Sequence, residues 1–154
     1  MRRSSGTDRR LSRARVRPLA AVALALCLLV GCSSGHATAG SGGTVARVTE
    51  RDFHISVSPA RVSAGRVVLT VHNRGPENHE LIVVRLRHGA LPLRADGITV
   101  DEKALKRSTI GGLEPGAAGE TRELRVTLTP GRYELFCNMS GHYLGGMHAE
   151  LTVS

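Results

Sequence analysis

The stretch PGRYELFCNMSGHYLGGMHAELTV, Pro130 to Val153, holds two strand-like runs with a chemically loaded loop between them. Ahead of the loop, Tyr133, Leu135 and Cys137 share one face of an alternating run; behind it, Ala149, Leu151 and Val153 do the same. Such period-2 alternation marks strands buried on one side. The loop carries Cys137, His142 and Met147 at the spacing C-x4-H-x4-M. Cys137 ends the first run with its side chain on the core face. A turn at Ser140-Gly141 would fold His142 back toward that sulfur, and a second at Gly145-Gly146 would return Met147 to the head of the last strand. Three donors on one hairpin converge only if the backbone turns sharply, which glycine permits.

The alternation continues upstream. Phe53, Ile55 and Val57 alternate with His54 and Ser56; Val67, Leu69 and Val71 with Val68, Thr70 and His72; Leu124, Val126 and Leu128 with Arg125 and Thr127. Turn chemistry separates these runs at Ser63-Ala64-Gly65, Asn73-Arg74-Gly75-Pro76, Glu114-Pro115-Gly116 and Thr129-Pro130-Gly131. Only DEKALKR, residues 101–107, reads as helix, and it is short. Six or seven strands in about 110 residues predict an all-β fold, a β-sandwich with Greek-key connections around one core. The run LIVVRLR, Leu81 to Arg87, starts apolar on both faces, which predicts a strand covered on both sides or a bulge near His79.

Ahead of this body the composition changes. The formal charge is +8 at pH 7, yet seven arginines fall within the first 31 residues beside Asp8 as the one acid. From Cys32 onward, 14 basic residues face 12 acidic ones. With few aromatics and no basic run in the body, nucleic acid is not an expected partner. The arginine-rich start leads into LAAVALALCLLV at 19–30, too short to span a bilayer and suited to the core of a signal peptide. Its ending, Leu29-Val30-Gly31-Cys32, resembles the lipobox of bacterial lipoproteins, which implies cleavage and a lipid on Cys32. The expected division is a signal peptide at 1–31, a flexible Ser/Gly-rich tether at 32–44 and a folded domain at 45–154, held at the outer face of the cell membrane. Cys27 then leaves with the leader and Cys32 carries lipid, so Cys137 is the one free thiol of the mature body. It has no partner for an internal disulfide, and a bare thiol outside the cell oxidises, so it is either buried or occupied by a metal.

One thiolate, two imidazoles and a weak thioether select copper and suit one-electron transfer. The loop supplies one histidine, so a second must come from elsewhere. His54, His72 and His148 fall on the solvent parity of their strands, His36 lies in the tether and His88 sits before a turn. His79 lies between the Asn73–Asn78 turn and the strand at Leu81, where a side chain can point into the end of a sandwich. Met139 competes with Met147 for the thioether position, but two residues after Cys137 it aims along the cysteine's own direction or into solvent. Other chemistries compete too. A cysteine nucleophile needs a histidine base and usually a helix N-terminus at the thiol, whereas Cys137 follows a strand. Structural zinc usually recruits paired cysteines and is poorly served by a thioether. A glycine-rich hairpin with inert side chains is the remaining alternative.

The segment NRGPENHELIVV, with N-x-G-x3-H-E in Asn73–Glu80, followed by the stretch quoted first, resembles the cupredoxins, the type 1 (blue) copper proteins. The loop spacing is closest to their rusticyanin, sulfocyanin and auracyanin branch, and the resemblance runs from Phe53 to Val153. It implies one copper ion near one end of a Greek-key sandwich, with Cys137, His79 and His142 as equatorial ligands and Met147 as the axial one. It further implies an electron carrier rather than an enzyme, a monomer whose partners are redox proteins, with Tyr143 and Leu144 forming an apolar docking patch beside His142. The second cysteine of a binuclear copper loop and the His-x-His pairs of multicopper oxidases are missing. The same ligands could instead hold copper for delivery or buffering, but the methionine-rich or His-x-Met arms suited to that use are also missing. The chain departs from many cupredoxins at Glu80, where they place an asparagine that ties the two ligand loops together. It departs again at Asn78, where some members have a glycine whose carbonyl makes a fifth contact, so four ligands are expected.

Overall fold

The computed structural model describes residues 43–87 and 89–154. The expected leader at 1–31, the lipid on Cys32, all but the end of the tether at 32–44, and the positions of His36 and His88 lie outside the described residues. The strands are β1 (Thr44–Arg51), β2 (His54–Ser58), β3 (Arg61–Val62), β4 (Gly65–Asn73), β5 (His79–Arg85), β6 (Thr109–Gly116), β7 (Thr121–Leu128), β8 (Gly131–Phe136) and β9 (His148–Val153). A single short helix, α1 (Glu102–Leu105), lies between β5 and β6 among the described residues. They form two sheets, ordered β2-β1-β4-β7 and β3-β9-β8-β5-β6. The pairs β1/β4 and β3/β9 are parallel and the others antiparallel. The expected all-β sandwich is the observed architecture. Among the described residues no helix is long and apolar enough to cross a membrane.

The core between the sheets follows the inward parity of each strand. Ala46 and Val48, then Val67, Leu69 and Val71, face Leu81, Val83, Tyr133, Leu135 and Leu151. Each large aliphatic group buried this way contributes about 1.5–3 kcal/mol. A second cluster explains the two-faced LIVV run. Ile82, Val84 and Phe136 point to the other side of the five-stranded sheet, where Leu91, Val100, Leu105 and Tyr143 cover them. The segment between β5 and β6 thus acts as a lid over β5 and β8. The predicted bulge is present as well, as a register shift between His79 and Leu81.

Two local readings change. Glu114-Pro115-Gly116 belongs to β6, not to a turn; β6 is the outer strand of its sheet, where proline costs no ladder hydrogen bond. Phe53 does not share the inward face of Ile55. It sits with Asp52 in the two-residue connection between the paired Arg51 and His54, at a φ of 58°, and is 51% exposed. The helix is shorter than 101–107: Asp101 caps it, accepting from the Ala104 N–H at 3.1 Å.

Candidate metal centre

His79 opens β5, Cys137 follows β8 directly, and His142 and Met147 lie in the loop that leads into β9. All four are buried. The Sγ of Cys137 and one ring nitrogen each of His79 and His142 lie within 4.8 Å of one another. Among the described residues this is the one group of three or more such side chains that could hold a metal ion. Sγ is 3.4 Å from His142 Nδ1, and the two imidazole rings meet edge to face with centroids 5.3 Å apart.

The loop closes through its own backbone. The N–H of His142 donates to Met139 O at 2.9 Å, and those of Gly145 and Gly146 donate to Gly141 O and Tyr143 O at 2.9 and 3.0 Å. Met147 N–H donates to His142 O at 3.0 Å, and Cys137 N–H to Met147 O at 3.1 Å, so the ends of the loop are tied together beside the sulfur. Gly141 and Gly146 take φ values of 79° and 104°, the left-handed conformations that the glycine turns were expected to supply. Met147 is fully buried in the same cluster as Cys137, whereas Met139 is half-buried at its edge and aims its backbone N–H at Sγ.

The electrostatics suit a cation. Burial pushes the Cys137 thiol up to about 11, against the backbone N–H groups of Met139 and Glu80 that point at the sulfur. A thiol in this position ionises at neutral pH when a positive charge arrives to hold the thiolate. Burial also lowers the pKa of His79, against the pull of Asp52, which keeps the imidazole neutral and able to donate a lone pair. Its Nδ1 is buried without a hydrogen-bond partner. Native interiors rarely leave such an atom unpaired, and a metal ion would satisfy it. The residues present therefore fit a metal with soft and imidazole donors.

Around the donors stands a second ring of residues, most of which sequence reasoning passed over. Asp52 Oδ1 lies 3.0 Å from His79 Nε2. Asn73 braces the approach to His79: its Nδ2 donates to Glu77 O at 2.7 Å and Gly116 O at 3.0 Å, and its Oδ1 accepts from Gly75 N–H at 2.9 Å. Arg122 reaches from β7 between the sheets, donating to Glu50 Oε2 at 2.8 Å, to His79 O at 3.1 Å and to Glu114 O. Glu50 is fully buried. Its signal was available: Glu50 falls on the inward parity of Ala46 and Val48, and Arg122 on that of Leu124 and Val126, opposite charges on inward faces of two strands. Glu80, the departure from the asparagine pattern, makes the same kind of tie, its Oε1 accepting from the Asn138 N–H at 3.1 Å. Asn138 in turn clamps the lid, accepting from Val100 N–H at 2.6 Å and donating to Val100 O at 3.0 Å and Glu102 Oε1 at 2.7 Å.

At the surface, the expected apolar patch has a different composition. Tyr143 is buried against Phe136 and donates to Glu134 Oε1 at 3.3 Å, so it belongs to the lid core. Leu144 is 54% exposed, and Phe53, 51% exposed, sets its ring edge to face against that of His142 at 5.3 Å. Glu77 Oε2 lies 3.4 Å from His142 Nε2 at the same edge.

No family model and no curated protein matches the chain by sequence. Solved structures do match in shape. Auracyanin from the photosynthetic bacterium Roseiflexus castenholzii is 20% identical with a TM-score of 0.53, over 75% of this chain and 99% of that one. Auracyanin A of Chloroflexus aurantiacus, described as a "blue" copper protein, is 20% identical with a TM-score of 0.55, over 73% of this chain and 100% of that one. Rusticyanin from Thiobacillus ferrooxidans is 14% identical with a TM-score of 0.52, over 73% and 79% of the two chains. Likeness at these identities establishes the fold, and it is the one implied by the sequence resemblance: this chain has the cupredoxin fold.

Proposed function

We propose that the chain is an electron carrier with one type 1 copper ion, held by His79, Cys137 and His142 with Met147 as the weak fourth ligand. The observation that carries this reading is the buried convergence of one sulfur and two imidazole nitrogens within 4.8 Å. Copper in such a donor set supplies a one-electron change between Cu(I) and Cu(II). The protein's part is to keep the donors still. The short backbone bonds of the 137–147 loop, the Glu80–Asn138 tie and the Asp52–His79 pair fix both ligand-bearing segments before any metal arrives. His142 lies nearest the surface of the three, with Phe53 against its ring and the exposed Leu144 two residues on, and such exposed apolar side chains suit brief docking of a redox protein. Export, lipid on Cys32 and a place at the outer face of the membrane follow from the leader, and action as a monomeric carrier rather than an enzyme is what the cupredoxin resemblance implies.

The test uses residues 38–154, a piece that begins shortly before β1 and runs through β9. With one equivalent of Cu(II) the protein develops an intense thiolate-to-copper band in the visible spectrum, and Cys137→Ser abolishes it. A colourless protein that binds Cu(II) weakly sinks the reading. Voltammetry then separates the two uses of the site: reversible one-electron waves mark a carrier, whereas slow, irreversible waves with ready transfer of Cu(I) to a chelator mark a delivery protein.

A further inference from the structure

Outside the cluster itself, the contacts of His79 lead to the end of β1. Its backbone carbonyl is held through Arg122 to Glu50, and its Nε2 lies 3.0 Å from Asp52 Oδ1. We propose that Asp52 is a positioning residue of the centre, its carboxylate fixing His79 as the Nε2–H tautomer with a bare Nδ1 turned to Cys137 and His142. The inference rests on the copper-site reading and deepens it.

A neutral imidazole carries one N–H, and an ionised carboxylate only accepts. The 3.0 Å contact therefore places the hydrogen on Nε2. That leaves Nδ1 as a lone pair, and Nδ1 is the atom found buried with no partner. The alternative tautomer would set the lone pairs of Nε2 and the carboxylate against each other and leave the N–H on the buried Nδ1 with no acceptor. The surrounding backbone is shaped around this pair. A Cβ on Gly75 would stand 2.5 Å from Asp52 Oδ1 and 2.8 Å from His79 Nε2, so residue 75 must lack a side chain for the pair to close. Gly75 is in turn held by the Asn73 side chain at 2.9 Å. Two segments that share no sequence neighbourhood, 50–53 and 73–79, are thus fitted to one hydrogen bond.

A carboxylate does more here than a neutral acceptor. Its negative charge, passed through the imidazole, strengthens Nδ1 as a donor and favours the more highly charged metal state. Asp52 therefore favours Cu(II) over Cu(I) and draws the potential down.

Two variants and two kinds of measurement test this. In the metal-free 38–154 protein, nitrogen-15 spectra of the imidazoles report the tautomer of His79 directly. The wild type shows a protonated Nε2 and a bare Nδ1; Asp52→Ala shows a mixture of tautomers, and Asp52→Asn, which keeps an acceptor oxygen but no charge, keeps the wild-type tautomer. With copper added, competition against chelators reads both affinities. Asp52→Ala loses 10–100-fold in Cu(II) affinity, the range typical of lost partners to a ligating histidine, and less in Cu(I) affinity. Asp52→Asn loses Cu(II) affinity by a smaller factor, and each tenfold change in the ratio of the two affinities raises the potential by about 59 mV. An unchanged His79 tautomer in Asp52→Ala, or unchanged Cu(II) and Cu(I) affinities in both variants, overturns the proposal. If Asp52→Ala does not fold, Asp52→Asn decides it through the affinity ratio. A wild type that binds no copper defeats the copper-site reading, while the metal-free spectra still decide whether Asp52 sets the tautomer.

Discussion

The two halves of the centre are built differently. Cys137, His142 and Met147 come from eleven consecutive residues, and their loop is closed by its own backbone: Cys137 N–H to Met147 O, Met147 N–H to His142 O, and two glycines at positive φ. His79 is held chiefly by groups remote in sequence, Asp52 on its ring and Arg122 on its carbonyl, while the nearby Asn73 and Gly75 shape the approach. The first half is a local device that folds wherever the strands beside it pair. The second is assembled only when β1, β5 and β7 have come together, so its failure modes are those of tertiary packing. The lesson is that donor identity and donor placement have separate origins here, and substitutions can separate them.

Arg122 offers the largest effect. It is nearly buried and joins Glu50, His79 and Glu114, residues of three other strands across both sheets. Arg122→Ala at pH 8 leaves the Glu50 carboxylate buried without its cation and frees the His79 carbonyl. Removing one partner of a buried pair costs about 3–5 kcal/mol. Urea unfolding of the metal-free protein reads this. A loss below about 1 kcal/mol would mean that the clasp contributes little and that β5 is held by other contacts.

Glu50 gives the second effect, and it depends on pH. Burial raises its pKa from 4.5 to about 7, outweighing the opposing pull of Arg122. Because the folded-state pKa lies above the ordinary one, the folded chain binds this proton more tightly than the unfolded chain does. The associated stability is present in full below about pH 4.5 and is lost as pH rises through about 7. The loss is roughly 3 kcal/mol for a shift of this size. Other groups titrate in the same window, His79 in the opposite sense, so the comparison is with Glu50→Gln. The difference between wild type and variant should change by that amount between pH 4.5 and pH 8. Parallel curves would refute the assignment.

The same division decides how much was legible in the sequence. Strand alternation gave the sandwich because inward parity is a local pattern, and the lid over β5 announced itself as the two-faced LIVV run. The spacing of Cys137, His142 and Met147 marks them as candidate donors, and the structure buries all three, as it does His79. His79 emerged because the other histidines lay on solvent parity or outside the body. What stayed hidden was pairing across distance. Asp52 reads as a turn residue until His79 is brought against it, and Phe53 reads as a strand residue because Ile55 and Val57 follow in phase. β6, with Gly111, Gly112 and Pro115, carries too little alternation to be told from a loop, and only pairing with β5 makes it a strand. Glu80 stands out in the sequence as a departure from the asparagine pattern, but its bond to Asn138 depends on where β5 and β8 place their ends.

Two glycines bring the comparison to its smallest scale. Neither Gly75 nor Gly145 sits at positive φ, so alanine at either is judged by space alone. At Gly75 the new methyl meets Asp52 Oδ1 at 2.5 Å, His79 Nε2 at 2.8 Å and the Asp52 backbone nitrogen at 3.1 Å, and neither residue can retreat without breaking the pair. Overpacking of this kind costs about 1–3 kcal/mol, and Gly75→Ala should also lose Cu(II) affinity as Asp52→Ala does. At Gly145 the methyl meets the ring of Phe53, which is half exposed and free to swing outward. Gly145→Ala should therefore change stability by no more than about 0.5 kcal/mol, while the displaced ring leaves the edge of His142. Thermal unfolding of the two variants side by side is the measurement. Equal losses would mean that the loop carrying Cys137 and His142 is as tightly fitted to its surroundings as His79 is, and the contrast between a self-closed half and a clamped half would fail.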